Sequence, residues 1–179
     1  MSMRKRAVAM VTAALLAAGS TGIALAPAAN AAAYHGIDGS GPVFDDWGEE
    51  EDLGIENYTE SNATALWQTV LWADGAQWED EDGDRHPFKK NQIDGTFGAE
   101  TESATQWWQE QRGLAETDGV VTDETWERAQ FRLRGPFSAN SVQYAGIAHI
   151  ATFKRVSKKY QVKLKGNGPW KSAHYDSRG

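Results

Sequence analysis

Cysteine is absent from the 179-residue sequence. A disulfide framework, a thiolate nucleophile and a cysteine-ligated zinc site are therefore all excluded. Small exported domains are commonly held by disulfides, so an exported chain without them depends on its apolar core for stability. Eight Trp, six Phe and five Tyr can supply that core, because each aromatic side chain buries roughly 150 to 250 Å².

Long apolar runs are also scarce, and the one such run lies at the N-terminus. Three basic residues, 4–6, precede an Ala-rich segment from Ala7 to Ala26, and residues 29–31 are the small residues that a signal peptidase accepts. Glycines and Pro27 interrupt the run, which falls short of the ~18 to 20 apolar residues of a membrane span. We interpret residues 1–31 as a secretory signal peptide and expect a secreted protein, extracellular or associated with the cell wall, without a membrane partner.

Basic residues are nearly missing from the middle of the chain. Residues 34–130 carry 24 acidic and five basic residues, whereas residues 131–179 carry ten basic residues and one acidic residue, Asp176. Such segregation suggests regions with different partners. We divide the chain after residue 31 into a flexible acidic leader at 32–56, a helical domain at 57–133 and a basic β module at 134–179.

Hydrophobic spacing predicts three helices in the middle region. The first fits Ser61 to Ala73, with Asp74-Gly75 as its end, and the second fits Ala99 to Arg112, with Gly113 as a left-handed cap. The third begins at Thr122, a good N-cap residue. The inner faces of the first two helices place Trp67 and Trp108 in the core.

Short alternating stretches after residue 136 predict antiparallel strands. In the clearest one, Tyr160, Val162 and Leu164 alternate with polar and basic residues, so that one face is apolar and the other is basic. Similar stretches surround Phe153 and Trp170. The predicted fold class is α+β, a three-helix domain followed by a small antiparallel β-meander.

An internal repeat links the second and third helices. Asp94-Gly95 precedes Thr101 as Asp118-Gly119 precedes Thr125, with the same spacing of seven from Asp to Thr. Asp-Gly permits a tight turn in which the glycine takes a positive φ before the chain enters a helix. Two such units bring helix starts together, a geometry that can bind polar ligands but more commonly satisfies the backbone alone.

The repeat lies within a longer pattern of residues at fixed spacings. The pattern consists of residues 93–98, Thr101, Ala104, Trp108-Gln109, Gly113-Leu114, residues 118–121 and Thr125-Trp126. In order and spacing it resembles the three-helix peptidoglycan-binding domain, a family often attached to bacterial cell-wall hydrolases. The similarity extends over about residues 57–132, although Trp67, Thr105 and Trp108 differ from the usual occupants of their positions. The resemblance implies attachment to peptidoglycan, while the fold itself can host other functions.

Binding of peptidoglycan would use a shallow groove near the turn at residues 94–98. Trp72 and Trp107 each lie one position from an inward-facing residue, which turns them by about 100° toward the surface, where they could stack on a sugar or pack against the chain. Trp78 is a similar case. Asp94 would position polar groups, and Gly95 would allow close approach of a ligand. The complete predicted ligand-binding set is Trp72, Asp94, Gly95, Phe97, Gly98 and Trp107.

The basic module has several possible partners. It could hold anionic wall polymers such as teichoic acids, bind nucleic acid, dock on the acidic half of the same chain, or form a solvated strand face that prevents edge pairing. Export argues against nucleic acid. The predicted basic patch is Lys154, Arg155, Lys158, Lys159, Lys163 and Lys165, with Lys171 nearby.

The polar segment from Ala76 to Gln92 predicts a long loop. Its acidic run, residues 79–84, invites a calcium interpretation, but an EF-hand numbered from Asp80 would place Arg85 and Asn91 where Gly and Glu are needed. A solvated acidic loop is the favoured interpretation. We expect no cofactor, no metal and only surface or structural roles for the histidines, which are His35, His86, His149 and His174.

The sequence therefore predicts a secreted, non-enzymatic peptidoglycan-binding protein whose basic tail could contact anionic polymers of the same wall. One alternative is a protein–protein interaction module that uses the helical domain as a scaffold. Another is a small wall hydrolase, because two carboxylates suffice to cleave a glycosidic bond and no pair among so many acids stands out.

Overall fold

The three helices begin and end where capping residues place them. In the computed structural model, which describes residues 34–137 and 140–178, helix α1 spans Asn62–Asp74, α2 spans Ala99–Arg112 and α3 spans Asp123–Gln130. The Ser61 hydroxyl accepts the amide of Thr64 at 2.9 Å and so caps the start of α1. The helix predictions are confirmed. The predicted signal peptide, residues 1–31, lies outside the described residues.

Left-handed glycines end the first two helices. Gly75 has φ 70° and Gly113 has φ 64°, a backbone region that residues with a side chain rarely adopt. Thr122 stands at the N-cap position of α3 without a side-chain hydrogen bond. None of the helices described is long and apolar enough to cross a membrane.

The prediction of a long loop over residues 76–92 is wrong. Strands β1, Gln77–Glu79, and β2, Arg85–Pro87, pair there as an antiparallel hairpin. One Asp80 carboxylate oxygen accepts the amides of Asp82 and Asp84 at 3.1 and 2.9 Å, which closes the turn. The acidic run is thus a hairpin turn between two short strands.

Five further strands form an antiparallel sheet at the C-terminal end. They run in the order β3-β4-β5-β6-β7, so each strand neighbours the next one in the sequence, as expected of a meander. The strands are β3 Leu133–Arg134, β4 Ser141–Ala145, β5 Ile150–Val156, β6 Lys159–Lys163 and β7 Trp170–Ser172. The α+β class is confirmed, but the β1–β2 hairpin separates α1 from α2, so the helices are interspersed with strands.

The prediction of a flexible leader at residues 32–56 is wrong for the part described, which begins at Tyr34. Ile37, Val43, Trp47 and Leu53 of this segment are buried. The ring of Trp47 contacts four aromatic rings, with centroids 5.5 to 6.3 Å away. Four widely spaced apolar side chains are enough to fix an otherwise acidic segment, because each removes substantial area from water.

The helices and the C-terminal sheet share one core. Phe153 and Tyr160 of the sheet are buried together with Trp67 of α1 and Trp126 of α3 in a continuous cluster. The boundary that we predicted between residues 133 and 134 therefore does not separate two cores. The face of the sheet that packs on this core is the apolar face that the alternation of residues in β6 predicted.

The buried carboxylate of Asp74, at the end of α1, joins the two regions. It accepts hydrogen bonds from the Trp108 indole at 2.6 Å, the Tyr144 hydroxyl at 2.7 Å and the amide of Ile147 at 2.9 Å, and Arg112 lies 2.5 Å away. Burial and the adjacent carboxylate raise the pKa of Tyr144 well above its usual value. A carboxylate partnered in this way fixes the C-terminal end of α1 relative to α2 and β4.

Candidate functional site

The turn at Asp94 is held by a glutamine of α1. The side-chain oxygen of Gln68 accepts the amides of Asp94 and Gly95 at 2.9 and 2.8 Å. Its amide group donates to the carboxylate of Asp94, the carbonyl of Thr96 and the hydroxyl of Thr101, at 3.0 to 3.1 Å. Both ends of this amide are thus bonded inside the protein.

The second unit of the repeat is built in the same way. The side-chain oxygen of Gln109, on α2, accepts the amide of Gly119 at 2.9 Å, and its amide group donates to the carbonyl of Val120 and the hydroxyl of Thr125. Asp118 accepts the amide of Val120 at 2.9 Å. In each unit of the repeat, therefore, a glutamine side chain forms hydrogen bonds with a turn and with the start of the helix that follows it.

Most residues of the predicted ligand groove at this turn are buried or bonded within the protein. Phe97 is fully buried, and a Cβ on Gly95 would stand 2.7 Å from the carbonyl oxygen of Ser61. The Asp94 carboxylate is occupied by Gln68 and by the amide of Thr96. These residues pack against or bond to other parts of the protein. Of the predicted turn residues, only Gly98 has no atom within 4 Å of the place where a Cβ would stand.

Trp72 is half-buried, but its ring is covered. The His149 ring stacks on it at 4.6 Å with an interplanar angle of 12°, and the Lys90 ammonium lies 4.9 Å from the ring centre. A stacked ring and a cation next to one indole reduce the ring surface that a sugar could contact. The predicted stacking of Trp72 on a ligand therefore stays a prediction, at an indole that already has two partners within the protein.

Trp107 lies in a different place, opposite the hairpin. It borders a groove of about 320 Å³ between α2 and the β1–β2 hairpin, and Trp78 of β1 borders the same groove. Both indoles are half-buried. We call this feature the hairpin groove, and its lining residues are Gln77, Trp78, Glu79, Asp80, Arg85, Ser103, Gln106, Trp107 and Glu110.

Two of the three carboxylates in the lining of the hairpin groove have a side-chain partner. Arg85 lies 3.3 Å from Glu79, and His86, which packs on Trp78, lies 2.7 Å from Asp80. The hydrogen bonds from His86 and from backbone amides lower the pKa of Asp80. The groove thus combines two indoles with paired polar groups and has more acidic than basic side chains in its lining.

Arg155, predicted as part of the basic patch, is bonded to other parts of the chain. Its guanidinium donates to Asp46 at 2.8 Å and to the carbonyls of Gly39 and Gly41 at 2.8 and 2.9 Å. The Tyr160 hydroxyl donates to the other Asp46 oxygen at 2.6 Å. At this residue the basic tail docks on the acidic leader, one of the alternatives that the charge segregation left open.

The lysines of the predicted patch do not form one site. Lys158 and Lys165 are exposed residues with positive φ, and Lys159 lies with its ammonium 4.1 Å from the ring centre of Tyr34. Lys154 and Lys163 instead share one partner, the ring of Trp170, at 5.1 and 4.9 Å. Only these two lysines come together.

The sequence did not predict an acidic cleft of about 560 Å³ that lies between the leader and Tyr175. Burial raises the pKa of Glu50 in this cleft to about 8, although the Tyr175 hydroxyl donates to it at 2.6 Å and the amide of Asp38 at 3.1 Å. The cleft could not be found from sequence because it exists only when the leader packs. No group of three or more acidic or histidine side chains among the described residues could hold a metal ion.

Comparison with protein families gives a match over part of the chain. Residues 85–128 match the family described as "Putative peptidoglycan binding domain". The matched segment contains β2, α2 and most of α3, and it supplies five of the nine lining residues of the hairpin groove, including Trp107. The resemblance seen in the sequence is thereby confirmed. No curated protein and no solved structure matches the chain.

Proposed function

We propose that the chain is a secreted, non-catalytic peptidoglycan-binding protein and that the hairpin groove receives the glycan. The observation that carries the proposal is the pair Trp78 and Trp107, whose half-exposed indoles border one groove at the edge of the segment that matches the family. The same match supports attachment to the cell wall.

The chemistry of the hairpin groove suits an uncharged sugar. An indole face packs against the apolar C–H face of a pyranose ring, and Gln, Ser, Arg and carboxylate groups at the rim can bond its hydroxyl and acetamido groups. The volume of about 320 Å³ lies at the lower end of the range for small-ligand sites, roughly 300 to 1,000 Å³. The groove therefore fits a short glycan segment.

Co-sedimentation with purified peptidoglycan tests the proposal on the protein beginning at Ala32. We expect Trp107→Ala to weaken binding about tenfold, the loss of about 1.4 kcal/mol of stacking. Phe131→Ala is the matched control, because Phe131 is an aromatic residue that is 57% exposed and lies away from the groove. Unchanged pelleting of Trp107→Ala and of Trp78→Ala would contradict the assignment of the site, and failure of the unmodified protein to pellet would favour a protein partner.

The acidic cleft favours a second candidate, a small wall hydrolase. Glycosidases use one carboxyl group that keeps its proton near neutral pH and a second that is ionised. Glu50 has the raised pKa of such an acid, and Asp38, Asp46 and Glu127 border the same cleft. Release of soluble muropeptides by the protein, and its loss in Glu50→Gln, would establish this candidate in place of the non-catalytic one.

A further inference from the structure

A second groove opens where two strands of the sheet separate. The ladder between β5 and β6 runs from Val156–Lys159 to Lys154–Gln161 and stops there, although both strands continue. A cavity of about 210 Å³ occupies the gap above α1. We call it the basic cleft, and the lining residues that matter here are Trp72, Lys90, Thr152, Lys163 and Trp170.

Tryptophans in the basic cleft hold ammonium groups. Lys163 and Lys154 lie over Trp170, and Lys90 lies over Trp72, with distances of 4.9 to 5.1 Å from nitrogen to ring centre. Cation–π contacts of this kind fix the position of a lysine without neutralising its charge. The two indoles therefore support three positive charges.

These three charges are uncompensated. Among the described residues, no carboxylate lies within 4.0 Å of the ammonium groups of Lys90, Lys154 or Lys163. Arg155, in contrast, is paired with Asp46. In a protein of net charge −7, three unpaired cations around one cleft create a local positive field that attracts an anion.

We propose that the basic cleft binds the phosphodiester groups of an anionic wall polymer, as a contact separate from the glycan site. The inference rests on the proposed attachment to the wall and names a second ligand there. A volume of about 210 Å³ is below the roughly 300 Å³ of sites that enclose whole small molecules, so the cleft takes one charged unit of a longer chain. Lysine ammonium groups bind phosphate as point charges.

Two contacts on one wall would reinforce each other. Once the hairpin groove holds glycan, binding of a neighbouring polymer in the basic cleft becomes effectively intramolecular. On a wall that carries both polymers, the protein would be retained more strongly than by either contact alone.

Titration with soluble poly(glycerol phosphate), followed by tryptophan fluorescence, tests the proposal on the protein beginning at Ala32. We expect Lys163→Gln and Lys90→Gln each to weaken binding about five- to tenfold at low salt, with the difference reduced as salt screens the charges. Lys159→Gln is the matched control, because it removes the same charge from the same strand at a residue that lies over Tyr34. We expect that control to change binding less than about twofold.

Three outcomes would overturn the proposal. Equal losses of affinity in Lys163→Gln and Lys159→Gln would show a diffuse charge effect. Equal binding of poly-glutamate would show that the cleft does not distinguish phosphodiesters from carboxylates. No binding by the unmodified protein would show that the site does not exist. Each variant must retain the unmodified melting temperature. Pelleting of Lys163→Gln with bare peptidoglycan should be unchanged, so failure of the basic cleft and failure of the hairpin groove are separate results.

Discussion

The helical region, residues 62–130, and the leader, residues 34–56, both bury tryptophan, but they become ordered for different reasons. Trp67 and Trp108 stand on helices whose ends are marked by capping residues. Trp47 has no such support, since the leader contains only a three-residue 3-10 helix, Val43–Asp45. The leader is ordered by contacts with distant parts of the chain, and its local sequence therefore gives little sign of its structure.

Each region also contributes one buried carboxylate that receives cations and tyrosine from elsewhere. Asp74 meets Arg112 and Tyr144, and Asp46 meets Arg155 and Tyr160. Removing one partner of a buried ion pair is costly because the other charge stays buried without compensation. The two carboxylates therefore connect regions that lie far apart in sequence.

Replacement of Trp47 by alanine is the strongest test of the comparison. We expect Trp47→Ala to lower the free energy of unfolding by about 3 to 5 kcal/mol, as expected for a large buried aromatic side chain, and Trp67→Ala to cost a similar amount. Phe44→Ala is the control within the leader, because Phe44 is 58% exposed, and it should change stability by less than about 0.5 kcal/mol. Urea unfolding measures all three, and a Trp47→Ala value near that of Phe44→Ala would mean that the leader is not part of the core.

Sequence reasoning succeeded where the signal is local. Ser61 and Gly113 mark helix ends through their own conformational preferences, and Tyr160 and Val162 show the alternation of a strand with one buried face. It failed for the hairpin at residues 77–87, whose strands are only three residues each. So short a pair carries no periodicity and depends on packing against α2.

The candidate site was only partly predictable for the same reason. The position of Trp107 on its helix indicated exposure, but its partner Trp78 was assigned to a loop and could not be placed beside it. The covering of Trp72 by His149 and Lys90 joins three segments of the chain. Local spacing gives the direction of a side chain from its own helix and cannot show what lies over it.

The two glutamines of the repeat allow a finer comparison inside the helical region. Gln68 makes five hydrogen bonds and Gln109 makes three. We expect Gln68→Ala to destabilise the protein by about 2 to 3 kcal/mol and Gln109→Ala by about 1 to 2 kcal/mol, because buried backbone groups lose their partners.

Gln106→Ala is the control for both glutamine variants. Gln106 is half-exposed and makes one long hydrogen bond of 3.3 Å to the carbonyl of Asp118, so its replacement should cost less than about 0.5 kcal/mol. Thermal and urea unfolding should rank the three variants in this order. Equal losses for Gln68→Ala and Gln109→Ala would show that the number of hydrogen bonds does not set the stability of the two turns.

The smallest effect that we expect concerns pH and belongs to the leader alone. Asp74 of the helical region has arginine partners, whereas the partners of Glu50 in the described part of the chain are the Tyr175 hydroxyl and a backbone amide. Burial raises the pKa of Glu50 from 4.5 to about 8, so the folded state binds the Glu50 proton more tightly than the unfolded state does. The stability that this proton provides is fully present below pH 4.5 and is lost as pH rises through about 8.

Replacement of Glu50 by glutamine should remove this pH dependence, because glutamine keeps the shape of the protonated side chain and cannot ionise. We expect the unmodified protein to lose on the order of 1 kcal/mol of unfolding free energy between pH 5 and pH 8.5 relative to Glu50→Gln. Glu49→Gln, which changes an exposed neighbour, should follow the unmodified protein. Parallel pH profiles for the unmodified protein and Glu50→Gln would show that the cleft stays hydrated enough to ionise Glu50 without cost, and the leader would then respond to pH no differently from the helical region.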